Sequence, residues 1–339
     1  MLRPVLSLTV SAALLVACTG GSPAKDDRST VVDHLATQVI APQFADLAKQ
    51  TTALTAATTG LCTGSAALPA VKTALAETRV ALSRVRTYAF GPSMSAQLSD
   101  LADHWPIAVD ELRERIVDGR TSDSQLDAAE YGEVGLPAIE HVLYDAATPK
   151  ALAGSVSEKA HVCGYLRQTT RRLSELTGTV AQQWQSFGKT FADGGRDSLT
   201  VLVTAIAQDT LRLGDTSLAV PAGLAGRVAA PKLIREDGAR HGKSDLLEGL
   251  RTGLGLYDGG IGSLVAARSS ATDEKVRAAF AAATAAVTAL PEPLGTAITT
   301  DLPKVKAAVA ALKQVRLLLT TDVGQQLGIS VSVNDSDGD

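Results

Sequence analysis

Aromatic side chains are scarce: Phe, Trp and Tyr make up 4% of the 339 residues, with only two tryptophans. A nucleic-acid surface that stacks bases draws on aromatics interleaved with basic residues, and the sequence has no such stretch. Charge of one sign is lacking too. Lys and Arg number 32 against 36 Asp and Glu, interspersed, for a net charge of −4, so no basic arm exists to neutralise phosphates and no nucleic-acid partner is expected. Long apolar runs are missing; the longest near the N-terminus, Val5 to Val16, is too short for a permanent membrane span. The five histidines are scattered. No HExxH or HxxEH occurs, nor a Gly-x-Ser-x-Gly elbow or a phosphate-cradling loop, so no nucleophile–base pair is readable from spacing.

What is present is Ala, Leu, Thr and Val in long stretches with little proline, a composition suited to close helix packing. Arg3 followed by the apolar Val5–Val16 segment is a targeting signal, and Leu15-Val16-Ala17-Cys18 matches a lipobox. Residues 1–17 are therefore expected to be a signal peptide, with Cys18 lipidated and residues 18–29 a polar tether. An ordinary signal peptide cleaved near Ala17, or a short membrane anchor, is the other reading. Attachment through Cys18 places the chain in the cell envelope, facing the periplasm or exterior. Thr19 rather than Asp after the cysteine favours the outer membrane where one exists. Cys62 and Cys163 then remain, and two cysteines outside the cytoplasm are expected to form one disulfide. Neither has the CxxC partner that a redox or metal reading needs.

Apolar spacing predicts helices over Thr30–Thr59, closed by Gly60, and over Pro69–Tyr88, closed by Phe90-Gly91-Pro92. In the second, Val71, Leu75, Val80, Leu82 and Val85 form the buried stripe, while Lys72, Glu77, Arg79, Arg84 and Arg86 are expected on a solvated face. A third helix, Ser95–Val117, is expected to bend at Trp105-Pro106. A fourth runs from Ser122 to Tyr144 with a break at Gly135-Leu136-Pro137. Further helices are expected over Val156–Phe187, Ser198–Leu213, Ser244–Tyr257, Ala271–Leu290 and Thr296–Leu319. Ile329 to Val333 alternates like a strand, although an extended tail is the preferred reading. The expected fold is all-α: two helical bundles of the four-helix type packed side by side, over 30–155 and 156–325, before an acidic tail over 326–339.

The organising stretch is Gly135-Leu136-Pro137-Ala138-Ile139-Glu140-His141-Val142-Leu143-Tyr144-Asp145. Pro137 suits the first turn of a restarted helix, since it has no N–H to leave unbonded. Glu140 then shares an aliphatic stripe with Ile139 and Leu143, and a buried carboxylate there costs several kcal/mol unless paired. It needs a cation, a proton or a hydrogen-bond donor.

This stretch resembles the imelysin family, whose hallmark is Gly-x-His-x-x-Glu. Gly135 and Glu140 match, while Pro137 stands where the family has histidine. Phe90-Gly91-Pro92, Trp105-Pro106 and the Gly135–Pro137 break follow in the family's order. Arg240-His241-Gly242-Lys243-Ser244-Asp245-Leu246, leading to Leu256-Tyr257-Asp258-Gly259, resembles its second landmark. The resemblance runs from about Ile40 to about Leu319 and implies the double-bundle fold. It also implies a ligand site built from Gly135, Pro137, Glu140, Arg240, Ser244 and Asp245, with Arg240 the suggested partner of Glu140. Ser244 is read as the cap of its helix. The family was named for a suggested metallopeptidase activity, and many members accompany iron uptake. A metal ion such as iron or zinc is thus the implied cofactor, with Glu140, His104 and His241 as candidate ligands. His141, about 100° round the helix from Glu140, is not expected to chelate the same ion. The expectation is a lipid-anchored binding or accessory protein working with iron-uptake components of the envelope. A metal-dependent peptidase and a helical scaffold are the alternatives.

Overall fold

The computed structural model describes residues 27–224, 226, 228–234 and 241–333. Cys18, Arg240 and the acidic residues 334–339 lie outside them. Every element is helical, and no strand occurs among the described residues; Ile329–Val333 is irregular backbone.

Helix α1 (Asp27–His34) continues through a π-helical turn (Leu35–Ile40) into α2 (Ala41–Thr63). Pro42 has no amide to bond back to Gln38, and the wide turn sits just before it. The helix does not stop at Gly60. It ends at Gly64, whose left-handed backbone (φ 82°) turns its amide back onto the carbonyls of Gly60 and Leu61. Gly60 serves close packing instead: a Cβ there would lie 2.9 Å from that of Ala66.

α3 (Leu68–Val85) returns along α2. A short α4 (Pro92–Ser95) comes next, and the single bent helix expected over Ser95–Val117 is instead two short ones, α5 (Leu98–Asp103) and α6 (Val109–Val117). Gln97 in the left-handed region and a cis Trp105–Pro106 peptide separate them. α7 (Asp123–Asp127) and a 3₁₀ turn (Tyr131–Glu133) lead to α8 (Leu136–Tyr144) and α9 (Thr148–Ala153). α10 (Val156–Asp193) is 38 residues, about 57 Å long. Ser155 and Glu158 cap its start reciprocally.

α10 packs along α2, so it belongs with the first half of the chain, not the second as the 155/156 boundary has it. The reason is chemical. Thr51 bonds Thr177 at 2.7 Å, Thr58 bonds Thr170 at 3.0 Å, and the Cys62–Cys163 disulfide closes the same seam. Small hydroxyl side chains let the two backbones approach closely while satisfying each other. α2, α3, α8 and α10 thus form one ring, with the expected disulfide inside it.

The second ring is α11 (Arg196–Leu211), α12 (Gly242–Leu256), α14 (Ser270–Thr288) and α16 (Leu302–Leu318). α13 (Gly262–Ala266), α15 (Leu294–Thr300) and α17 (Gly324–Leu327) are short connectors. π-helical turns follow α11 (Arg212–Ala219), α12 (Tyr257–Ile261) and α16 (Leu319–Val323). The core continues past residue 325: Leu327 and Ile329 are buried, and Val331 and Val333 pack against them, so the expected tail begins too early. The rings meet chiefly where α3 lies against α12.

Candidate functional site

α3 and its C-terminal cap residue carry Arg79, Ser83 and Arg86 at spacings of four and three, hence on one face. That face was expected to be solvated. It is covered by α12 on one side and by α5 and α8 on the other, and Arg79 is 2% exposed. A helix's polar stripe looks the same in sequence whether water or a second bundle faces it.

Three carboxylates from three helices converge there. Arg79 donates through Nε to Asp245 Oδ2 at 3.1 Å, and its Nη2 lies 3.0 Å from the same oxygen. Its Nη1 stands 3.7 Å from Asp103 Oδ1 and 3.8 Å from Glu140 Oε2. Ser83 donates to Asp245 Oδ1 at 2.7 Å. Arg86 pairs closely with Asp103, and its Nη2 is 3.7 Å from Asp245 Oδ2. Burial works against the charge on Arg79, but Asp245, then Asp103 and Glu140, outweigh it and hold its pKa above the ordinary value.

Backbone geometry explains how Glu140 reaches this cluster. Gly135 has φ 87°, and a Cβ on it would lie 2.9 Å from Leu101 O and 3.0 Å from Ala102 O. Only glycine lets the start of α8 sit against the end of α5. Pro137 follows in the first turn of α8, and Glu140 emerges beside Asp103, 3% exposed. Gly135 and Pro137 therefore shape the backbone.

A cavity of about 340 Å³ adjoins the cluster, with Arg86, Asp103, His104, Trp105, Arg212 and Asp245 in its wall. Trp105 is anchored by its indole N–H, which donates to Leu233 O at 3.0 Å. Arg212 is held by Asp209, 2.6 Å from its Nη2, and Thr87 donates to the other oxygen of Asp209 at 2.9 Å. Arg84 bridges to Glu248 at 2.7 Å, adding a further tie between α3 and α12.

Of the residues singled out in the sequence, Glu140 and Asp245 meet through Arg79, and His104 lines the cavity, its ring 5.7 Å from that of Tyr131. Ser244 does not join them. It is exposed and does not cap α12, which starts earlier at Gly242; its hydroxyl donates to His241 O at 2.8 Å. His241 is half-buried just before that helix. Arg79 and Arg86, which organise the site, were missed; the signal available was arginine, serine and arginine on one helical face.

The three carboxylates already enclose a guanidinium, and no group of three or more His, Cys, Asp or Glu fit to hold a metal ion occurs among the described residues. The arrangement does not fit a resident metal ion.

A family model described as imelysin matches residues 40–321. Among solved structures, an imelysin-like protein from Psychrobacter arcticum 273-4 is 18% identical with a TM-score of 0.74, covering 90% of this chain and 97% of that one. A "putative iron-regulated protein A precursor" from Parabacteroides distasonis ATCC 8503 is 16% identical with a TM-score of 0.76, covering 91% and 97%. At these identities the likeness establishes the fold. No curated protein matches.

Proposed function

The chain belongs to the imelysin family, and from that premise we propose that it is a binding protein of the cell envelope that serves iron acquisition, taking up iron as a complex in the cavity beside the arginine–carboxylate cluster. One observation carries the reading: the 340 Å³ cavity between the rings, where Arg86 and Arg212 present two guanidinium groups beside Asp103 and Asp245. Guanidinium groups suit the carboxylate or phenolate oxygens of a chelator, and Trp105 supplies a flat apolar wall. The neighbour described as iron-regulated supports the link to iron. The Leu15–Cys18 lipobox supports attachment through a lipid on Cys18, facing the periplasm or exterior, at the outer membrane where one exists. The membrane and the envelope's iron-uptake components are then the partners. No helix of the described residues is long and apolar enough to cross a membrane.

Calorimetric titration of the purified chain with ferric citrate, against citrate alone, tests this. Binding of one complex per chain is expected, with Arg86→Gln weakening it roughly 10-fold or more, as for a lost charged hydrogen bond. Chelator-sensitive peptide cleavage would support the metallopeptidase instead. Neither binding nor cleavage leaves the scaffold.

A further inference from the structure

We infer that a second, larger cleft beside Arg86 and Arg212 is a binding site for an aliphatic chain ending in an anionic group, the chain lying in the cleft and its head at the two arginines. The site stands whether or not an iron complex occupies the smaller cavity.

The cleft encloses about 590 Å³ along α11, with Phe90, Val201, Ala205, Leu211 and Val220 in its wall. That volume falls within the range of small-molecule sites, about 300–1,000 Å³. α11 presents Val201, Ala205, Gln208 and Arg212 at spacings of four, three and four, so one helical face runs from apolar to charged. Two features keep the slot open. Thr200, Thr204 and Ala205 are small, and Phe90 is held in place by Trp184, edge-on at 5.4 Å, and by Phe191, stacked at 5.3 Å. An apolar wall left in water is unfavourable in proportion to its area, and a chain laid along it removes that cost.

The charged end of the cleft selects the head group. Arg86, Arg212 and Thr216 line both this cleft and the 340 Å³ cavity. Arg212 commits Nε and Nη2 to Asp209 Oδ1, at 2.9 and 2.6 Å, which leaves Nη1 outside that pair. The Arg86 side chain is 9% exposed, and its Nε is buried with no hydrogen-bond partner among the described residues. Neither guanidinium fork is therefore saturated by its carboxylate, and a second anion is what such a fork accepts. The acidic side chains of the same wall are already engaged. Asp209 also accepts from Thr87 at 2.9 Å, and Asp215 lies 4.0 Å from Arg316.

Calorimetric titration of the full chain with hexanoate, octanoate, decanoate and decanol tests the site. One decanoate per chain is expected, with affinity rising about 4-fold per methylene, the factor for burying one CH₂. Decanol, lacking the charge, should bind roughly 10-fold more weakly. Arg212→Gln should weaken decanoate by a similar factor and leave decanol unchanged. Ala205→Phe, which fills the slot without touching either arginine, should abolish both. The inference is overturned if decanoate does not bind, if decanol binds as tightly, or if folded Ala205→Phe binds decanoate as the wild type does. Should Ala205→Phe fail to fold, a diazirine-bearing decanoate cross-linked to the wild type decides: label within residues 200–220 supports the site, and label elsewhere overturns it. Ferric octanohydroxamate against ferric acetohydroxamate then separates the two sources of such a chain. Tighter binding of the longer complex, lost in Ala205→Phe, assigns the chain to an arm of an iron chelator; equal binding assigns it to a free fatty acid. Decanoate binding without ferric citrate binding would keep this site and remove the iron reading, and the reverse would remove this site alone.

Discussion

At the scale of single residues, the asymmetry between Arg79 and Glu140 decides what mutations do. Arg79→Ala takes away the guanidinium that three buried carboxylates share, and should cost about 3–5 kcal/mol, the range for breaking a buried ion pair from one side. Glu140→Gln keeps the side chain's shape while Arg79 keeps Asp245 and Asp103, so a smaller cost of about 1 kcal/mol is expected. Urea unfolding of both variants measures the difference, and equal costs would contradict the placement of Arg79 at the centre. The need for a partner at Glu140 was legible, since Ile139 and Leu143 beside it signal burial. Arg79 as one such partner was not: it is 61 positions upstream, and nothing in α3 distinguishes a buried arginine from a solvated one. Tyrosines set a different limit. Burial pushes the pKa of Tyr88 and Tyr165 well above the ordinary 10.0, with Asp209 adding to the effect at Tyr88. The folded state then holds these protons more tightly than the unfolded one, so their contribution is complete below about pH 10 and is lost as pH rises further. The urea midpoint should fall between about pH 10 and pH 12, and Tyr88→Phe should flatten that fall.

At the scale of elements, the long helices were readable and the joints were not. α2, α3, α10 and α14 follow apolar stripes that any helix of that spacing must bury. The region 92–144 reads as two helices with a bend and a break, yet folds as many short pieces. Its chain turns sharply at Gly91, Gln97 and Gly135, and only the tertiary contacts show which turns are complete reversals. Gly135 is the joint with consequences for the site. Gly135→Ala places a methyl about 3 Å from two carbonyl oxygens on a left-handed backbone, so it should cost more than about 1 kcal/mol and move Glu140 away from Asp103. Ligand affinity falling together with thermal stability is the expected outcome; loss of stability alone would show that α8 keeps its seat. The disulfide was the most legible joint, because the N-terminal segment reads as a targeting signal and two cysteines then leave one pairing. It closes a separation of 101 residues between the end of α2 and the first turns of α10, and replacing both cysteines by serine should cost about 2–5 kcal/mol, read as a lower melting temperature.

At the scale of the whole molecule, the question is whether two rings unfold as one body. The buried apolar residues form a single contiguous cluster running from Val32 to Ile329, and α1 touches both α10 and α11. The polar seam between α3 and α12 is fixed by Arg79–Asp245, Ser83–Asp245 and Arg84–Glu248. Sequence periodicity assigns a stripe to each helix but not the helix it faces, which is why α10 was placed in the wrong ring while its boundaries were nearly right. Because the core is continuous and the seam adds directional charge pairing, heating should give one cooperative transition in scanning calorimetry. Asp245→Ala strips the main acceptor from Arg79 and Ser83 at the seam, and should lower the melting temperature by on the order of 10 °C. The transition should stay single, since the apolar continuity is untouched. Two separate peaks in Asp245→Ala would mean instead that the charge cluster alone couples the rings, and that a ligand contacting Arg86 acts on the relative position of two otherwise independent bundles.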